Sequence, residues 1–517
     1  MNHPPKLSLA EHYHDRTKYH PETIGRGGVA IDWDRPPETF KTYQIGTTIE
    51  LQPYLKRESD NLEASDHFLR RLSRLLYLTY GVTAKMQGMG SQVFYLRTAP
   101  SAGGLYPAEI YLISRGMPDL PAGLYNYQVK THSLHRFWES DVWPGLQTSC
   151  IWHPSLETTR LAIVTTAVFF RSFWRYHDRA YRRIYLDTGH LLGNLELASS
   201  LNDYRVHAIG GFRDQALNDL LYLDGEREAA TAVFALADRY DLAQDLPSYA
   251  TALPSGVKTD YPDLAEGHLL AHLHQASEID TEPRFGWETI ATNLPSIHNR
   301  SYDLPFCTKV STDTPPIDWG LEASDLERSI VNRRSCRRYS PKPISIGDLK
   351  AILDFAYHPE RYHLWALDPA PDYFDLPSIR TFVAVSHVED LEAGCYYYAP
   401  EADELRQIRF KNFRRELHFL ALNQDLARDA GAVIFHTADL GQAIARYGDR
   451  AYRYLHLDAG HLGQRLNLAA VAIGLGASGI AGFFDDHVNE VLGIPPAEAV
   501  LYLTTIGQPF GRDDSDR

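Results

Sequence analysis

The chain has 517 residues, 44% hydrophobic and 23% charged, so it is long enough for two or three domains with full cores. Its formal net charge of −15 argues against a nucleic-acid binder, which needs a basic surface, and against docking on an anionic membrane. The four cysteines are too widely spaced for a CxxC metal site and too few for a disulfide framework. Together with a polar N-terminus without a secretion signal, they favour a cytoplasmic protein.

Predicted helices and short strands alternate along the first half of the chain. Residues 66–81 (DHFLRRLSRLLYLTYG) place leucines at helical spacing. Residues 109–116 and 161–170 are rich in β-branched and aromatic residues, which favours strands. Directly before the first of these strands, PSAGG (100–104) lacks large side chains. Such a segment predicts either a tight turn or a loop whose bare backbone contacts a flat or charged group.

The next predicted element, a helix containing D-x-G-H, belongs to an internal repeat. Residues 175–198 and 446–469 are identical at 15 of 24 positions, at an offset of 271. The same offset pairs further segments without a gap, namely 122–127 with 393–398 and 210–221 with 481–492. A period of this length indicates two whole domains, not the units of a solenoid. We expect domains at residues 1–245 and 321–517, joined by a polar, Pro-rich linker at 246–320.

The second half repeats the pattern of the first. Residues 344–358 have helical spacing, and residues 381–387 and 432–439 are typical of strands. The predicted fold class is therefore α+β, with a mixed or antiparallel sheet flanked by helices in each half. We expect the two halves to pack as an internal pseudo-dimer.

The two copies differ in two segments that complement each other. PSAGG (100–104) aligns with Pro371-Asp372-Tyr373-Phe374-Asp375, where two acids and two aromatic rings fill the bare loop. Conversely, RRSCRRYS (333–340) is rich in arginine, whereas its nearest counterpart in the first half keeps only Lys41. Arginines with an interleaved serine suit a phosphate group, since guanidinium forks match its oxygens. We predict one intact site that combines both halves, and one defunct site.

Six motifs stand out along the chain, namely R-R-S-x-R-x-Y, P-S-A-G-G-L-Y-P, A-G-L-Y-x-Y, R-Y-x-x-R-A-Y-R, the D-x-G-H helix and I-G-G-F. Together they resemble the nitroreductase-like flavoprotein fold and, within it, the SagB-type dehydrogenases that include thiazoline and oxazoline oxidases. The resemblance implies one FMN per chain, and three sets of residues for it. The phosphate and ribityl or pyrimidine side would be held by Arg333, Arg334, Ser335 and Arg337, with Arg512 as a second phosphate contact. The ring would lie along Pro100, Ser101, Ala102, Gly103 and Gly104. A backbone N–H for flavin N5 would come from Gly479, Ile480, Ala481 or Gly482.

In the azoline-oxidase branch, a Lys-Tyr pair before the D-x-G-H helix handles the substrate proton. Arg175-Tyr176 and Arg446-Tyr447 stand in its place. Arginine does not deprotonate near neutral pH and cannot be the general base. We expect Tyr176, rather than Tyr447, to relay a proton with a pKa lowered by the adjacent guanidinium. The alternative is that both pairs only cap the interface helix.

The leading hypothesis is an FMN-dependent oxidoreductase of SagB-like type that accepts hydride from a small heterocyclic or peptide-derived substrate. The alternatives are an NAD(P)H-dependent nitro or quinone reductase and a non-catalytic flavin-binding component of a biosynthetic complex. We expect either a monomer whose two halves form a pseudo-dimer or a weak homo-oligomer. We expect no bound metal, because the N-terminal histidines are interpreted as lying on a solvated surface. The repeated pairs Asp187/His190 and Asp458/His461 are expected to pin the internal interface. GLGASG (474–479) follows a helix where a dinucleotide fingerprint follows a strand, so we interpret it as a turn.

Overall fold

The computed structural model describes residues 6–24, 31–55, 64–87, 93–280, 287 and 301–510. The strands of the first half are β1 (Thr47–Glu50), β2 (Val82–Gln87), β3 (Val93–Arg97), β4 (Ala108–Ser114), β5 (Gly123–Gln128), β6 (Ser133–Trp138), β7 (Leu161–Val168), β8 (Tyr204–Ile209) and β9 (Glu228–Asp238). Its helices are α1 (Leu9–Arg16), α2 (Ala64–Tyr80), α3 (Trp143–Ser149), α4 (Ser155–Thr158), α5 (Phe169–Tyr176), α6 (Ala180–Ser200) and α7 (Asp214–Leu220).

The remaining elements follow after residue 268. The helices are α8 (Leu269–Ala276), α9 (Ser324–Asn332), α10 (Ile346–Tyr357), α11 (Arg414–Leu420), α12 (Asp425–Asp429), α13 (Leu440–Tyr447), α14 (Ala451–Ala472) and α15 (Asp485–Leu492). The strands are β10 (Lys309–Ser311), β11 (Arg380–Val385), β12 (Gly394–Ala399), β13 (Glu404–Arg409), β14 (Ala432–Asp439), β15 (Gly476–Ile480) and β16 (Glu498–Gly507).

Each half forms a seven-stranded sheet, and the two sheets have the same topology. The strand orders are β1-β6-β5-β4-β7-β9-β8 and β10-β13-β12-β11-β14-β16-β15, with antiparallel neighbours throughout. Strands β2 and β3 form a separate hairpin. Helices flank both sheets, so the predicted α+β class with two similar halves is confirmed, and the sheets are antiparallel.

Local sequence explains where the main elements begin and end. The Val, Ile and Thr residues of β7 favour extended backbone, and the strand is buried because helices cover the sheet. The predicted strand at 161–170 ends at Val168, where α5 begins. Helix α10 begins after Ser345, whose hydroxyl accepts from Asp348 N while the Asp348 side chain accepts from Ser345 N.

The two long helices α6 and α14 pack against each other at the centre of the molecule. A Cβ atom on Gly189 would lie 2.8 Å from Gly460 Cα, and one on Gly460 would lie 2.9 Å from Gly189 Cα. The backbones therefore touch at a point that leaves no room for a side chain. One continuous hydrophobic core includes Leu186 of α6 and Leu457 of α14, so the halves share their interior.

Buried ion pairs are exchanged between the halves. Arg179 and Arg182 of the first half bind Asp485 of the second at 2.9 and 2.7 Å. In return, Arg450 and Arg453 of the second half bind Asp214 of the first, both at 2.6 Å. Burial alone would raise the pKa of Asp485, but its two arginines outweigh that effect and lower it.

Helix α8 lies inside the segment predicted as a linker. The end of α8 contacts Arg453 of the second half in the same way as the end of α1 contacts Arg182 of the first. Ser277 Oγ accepts from Arg453 Nε at 2.7 Å, and Thr17 Oγ1 accepts from Arg182 Nε at 3.1 Å. The repeat thus reaches further towards the N-terminus of each half than the offset of 271 indicates. The domain boundaries themselves stay a prediction.

No helix among the described residues combines the length and apolar character needed to cross a bilayer.

Replacing Asp485 by Asn should lower the free energy of unfolding by about 3–5 kcal/mol, because two buried guanidinium groups lose their counter-charge. The measurement is denaturant unfolding followed by tryptophan fluorescence. Asp486→Asn is the matched control. Asp486 is exposed and its ion pair with Lys18 at 2.8 Å should contribute less than about 1 kcal/mol. Equal unfolding midpoints for Asp485→Asn and the wild type would contradict the role given to this exchange.

A candidate active-site cleft between the halves

The bare loop is held on helix α6 by a buried carboxylate. Asp187 accepts hydrogen bonds from Ser101 Oγ at 2.6 Å and from Ala102 N at 3.1 Å. Gly103 and Gly104 adopt φ values of 65° and 68°, a left-handed conformation that glycine reaches without strain. A Cβ on Gly103 would also lie 2.8 Å from the Tyr176 hydroxyl. The lack of side chains here has two causes, backbone conformation and the proximity of Tyr176.

This loop faces a cleft of about 410 Å³ whose walls come from both halves. The first half contributes Pro100, Ser101, Ala102, Gly103, Arg175 and Tyr176 from the predicted site. The second half contributes Ser335, Arg337, Gly479, Ile480, Ala481 and Gly482. The structure thus brings together the early loop and part of the late arginine segment, which are more than two hundred residues apart in sequence.

Two of the predicted arginines do not line the cleft. Arg333 is buried behind the wall, where its Nε donates to Thr98 O at 2.7 Å. Arg334 donates to the carbonyls of Val331 and Arg333 at 3.2 and 2.6 Å and to Thr83 O at 3.3 Å. Carbonyl groups at the C-terminal end of α9 attract this guanidinium and turn it away from the cleft. Arg333 and Arg334 therefore join the halves beside the loop through Thr98 and Thr83, and their role towards a cofactor stays a prediction.

The other predicted residues lie elsewhere. Gly104 is exposed at the end of the loop and is not part of the wall. Tyr447 is buried in the other half's counterpart of the cleft, where its ring packs against Tyr454 at 5.5 Å. Arg512 lies outside the described residues.

Tyr176 stands on the cleft wall between two guanidinium groups. Arg183 lies 3.9 Å from the centre of its ring and Arg175 lies 5.8 Å away. The expected lowering of its pKa is wrong. Burial of the phenol raises the pKa and outweighs the opposing effect of Arg183 and Arg175. Tyr176 therefore stays protonated near neutral pH and can donate a hydrogen bond into the cleft.

Seven wall residues were not among the predicted ligand contacts, namely Arg183, Leu186, Asp187, His190, Leu422, Gln424 and Tyr502. His190 does cross between the halves as expected, through Gln464 Oε1 at 2.8 Å and Tyr502 Oη at 2.7 Å. It also faces the cleft. A signal existed for Arg183, because the second half has Tyr454 at that position. No pattern in the sequence indicates Tyr502, which lies within a buried strand.

In the second half the counterpart of the cleft is filled by the loop that replaced PSAGG. Phe374 stacks on Tyr454 with ring centres 5.4 Å apart, and Tyr373 stacks on His461 at 4.3 Å. Asp372 accepts a hydrogen bond from Ala208 N at 3.0 Å. Only about 20 Å³ remains at this place. One open and one closed version of the same cleft therefore coexist in the chain.

The open cleft has a cationic wall. Arg175, Arg183 and Arg337 line it, and none of them forms an ion pair with another described residue. Arg183 Nη1 is buried and lacks a hydrogen-bond partner among the described residues. Asp187 is the one carboxyl among the described residues of the wall, and burial raises its pKa to about 7, which reduces its negative charge. Such a wall favours an anionic ligand.

Comparison with known proteins adds a family. A model described as the nitroreductase family matches residues 71–237 and 330–508, one match in each half. A crystal structure of a protein named as a nitroreductase from Anabaena variabilis ATCC 29413 shares 57% identity, covers 98% of this chain and 100% of that chain, and superposes with a TM-score of 0.92. A protein named as a nitroreductase from Methanocaldococcus jannaschii is 31% identical over 190 residues, 36% of this chain and 93% of that protein. The trifolitoxin-processing protein TfxF of Rhizobium leguminosarum bv. trifolii is 30% identical over 146 residues, 28% of this chain and 48% of that protein.

The carboxyl of Asp458, which holds the closed loop through Phe374 N at 3.0 Å and Asp375 N at 2.6 Å, gives a pH prediction. Burial raises its pKa in the folded chain to about 8, against an ordinary value of 3.8. The folded state therefore binds a proton that the unfolded state has lost, so this group's contribution to stability falls as pH rises from about 4 to about 8.

Asp458→Asn should flatten the decline of stability between about pH 5 and pH 8.5, measured by denaturant unfolding at each pH. The exposed Asp313→Asn serves as the control and should keep the wild-type slope. An unchanged slope in Asp458→Asn would show that the carboxyl is already ionised in the folded chain.

Proposed function

The chain belongs to the nitroreductase family, and from this premise we propose that it is an FMN-dependent oxidoreductase with one flavin per chain in the open cleft. The observation that carries the proposal is the meeting of the bare loop of the first half with Ser335 and Arg337 of the second. A closed counterpart in the same chain supports a single flavin rather than two.

The residues of the cleft fit FMN in three respects. Arg337 and the Ser335 hydroxyl would bind its phosphate and ribityl side, because a guanidinium group and a hydroxyl both donate to anionic oxygens. The backbone of Pro100–Gly103 would lie against the flat ring. The cleft volume of about 410 Å³ falls in the ordinary range of small-molecule sites, about 300–1,000 Å³. Arg183 Nη1, which lacks a partner among the described residues, stays available for an anionic or carbonyl oxygen of the substrate.

FMN, when bound, supplies a two-electron acceptor or donor for hydride at N5. The chain's own residues position the partners of that exchange. The segment Gly479–Gly482 would offer backbone N–H groups towards the reacting edge of the ring. Tyr176 would donate its hydroxyl proton to a substrate atom in a hydrogen bond, and Arg175 and Arg183 would stabilise negative charge there. Arg175 cannot accept the substrate proton.

We propose a SagB-like reaction in which a small heterocyclic or peptide-derived substrate transfers hydride to the flavin. Its support is the combination of motifs and the similarity to a toxin-processing protein. The second candidate is an NAD(P)H-dependent nitro or quinone reductase, favoured by the names of the two nitroreductase relatives. Both candidates use the same cleft and differ in the source of electrons.

Substitutions on either wall of the open cleft should weaken or abolish FMN binding without unfolding the chain. Arg337→Ala should weaken FMN binding about 10- to 100-fold, the loss of one charged hydrogen bond. Ala102→Tyr should abolish binding, because it copies Tyr373 of the closed half. Arg338→Ala, beside Phe510, and Tyr373→Ala are the respective controls. The measurement is flavin fluorescence on titration, with the visible spectrum giving the stoichiometry. A wild-type protein that binds no FMN, or controls that lose it equally, would refute the one-site proposal.

Anaerobic mixing of the FMN-loaded protein with NADPH and with NADH separates the two candidates. We expect the absorbance near 450 nm to persist, because the SagB-like reaction takes its electrons from the substrate. Rapid bleaching by either nucleotide would instead establish the reductase.

A further inference from the structure

The closed half shows what a guanidinium group binds at the end of helix α13. Arg446 there donates from Nη1 to Asp375 Oδ1 at 2.7 Å, and Asp375 is only 2% exposed. Asp375 belongs to the loop that fills the closed cleft. The closed half thus contains its own carboxylate, held by Arg446.

The open half repeats this arrangement without the carboxylate. Arg175 is the second-last residue of helix α5, as Arg446 is of α13, at the repeat offset of 271. The counterpart of Asp375 is Gly104, and a Cβ placed on Gly104 would have no atom within 4 Å. Arg175 is exposed on the cleft wall and makes no ion pair with a described residue. The open half therefore has the guanidinium group and the empty space, but not the anion.

A second guanidinium group lies on the same side of the cleft. Arg183 is only 5% exposed, yet its Nη1 has no partner among the described residues and its Nη2 reaches only Tyr19 Oη at 3.4 Å. In the closed half this position is Tyr454, whose ring stacks on Phe374. The closed half thus has an aromatic ring where the open half keeps a charge with a spare donor.

We propose that the substrate carries a carboxylate, which binds Arg175 as Asp375 binds Arg446 in the closed half, with Arg183 as the second donor. This inference rests on the proposed function and specifies its substrate class. Tyr176 lies between the two arginines, so a carboxylate bound there places the rest of the substrate beside the Tyr176 hydroxyl. The phosphate of FMN offers the same anionic chemistry, so the test must separate the two sources.

The probe is benzoate, with benzamide as the uncharged molecule of the same shape, measured by isothermal calorimetry on the purified protein. The wild type should bind benzoate at least about tenfold more tightly than benzamide, the contribution of a charged hydrogen bond. Arg175→Gln should remove this preference and leave the FMN affinity unchanged. Arg446→Gln is the matched control in the closed half. It should lower the thermal unfolding temperature by leaving Asp375 unpaired, and keep the preference for benzoate.

Three outcomes would overturn the proposal. The wild type binds benzoate no better than benzamide, or not at all. Arg175→Gln lowers the affinity for FMN as much as the affinity for benzoate, which would assign the guanidinium group to the cofactor phosphate. Arg446→Gln removes the benzoate preference as Arg175→Gln does. A protein that binds no FMN but selects benzoate through Arg175 would refute the flavin assignment and keep the carboxylate site.

Discussion

Each half of this molecule buries an aspartate whose ion-pair partners, among the described residues, all lie in the other half. Asp214 depends on Arg450 and Arg453, and Asp485 depends on two arginines of the first half. An unpaired charge in the interior is strongly unfavourable, so either half alone would leave buried guanidinium groups and a carboxylate without their counter-charges. This exchange and the close contact of α6 with α14 fix how the halves meet. The cleft exists only because they meet in this way.

Within that symmetric frame, the two loops could diverge because of how they are held. Asp187 accepts from the backbone N–H of Ala102 as well as from the Ser101 hydroxyl, and Asp458 accepts from two backbone N–H groups, which every residue except proline supplies. The side chains of the loop are therefore free to change while its anchor stays the same. In one half the loop lacks large side chains and the cleft is open. In the other, the rings of Tyr373 and Phe374 occupy the corresponding space.

Much of the fold could be predicted because duplication leaves a strong signal. The offset of 271 identified the repeated halves, and the segments whose sequences differ between the halves indicated the wall of the cleft. The offset of 271 did not reveal helix α8 as part of the repeat. Ser277 at the end of α8 corresponds to Thr17 at the end of α1, which is 260 residues earlier. The offset differs because the segment between this helix and the D-x-G-H helix has a different length in each half.

Individual side chains were harder to place. The sequence does not distinguish Arg334 from Arg337. In the structure Arg334 donates to nearby backbone carbonyls and points away from the cleft, whereas Arg337 lines it. The pKa of Tyr176 depends on how deeply the fold buries it, which its neighbours in sequence do not reveal. Asp187 and His190 were assigned to the interface because they are identical in both halves. His190 does bond across the interface and also faces the cleft, whereas the hydrogen bonds of Asp187 go to the loop of its own half. The tandem arrangement also determines how the cleft responds to dilution. Since one polypeptide supplies both walls, dilution cannot separate them, and the completeness of the cleft is independent of protein concentration.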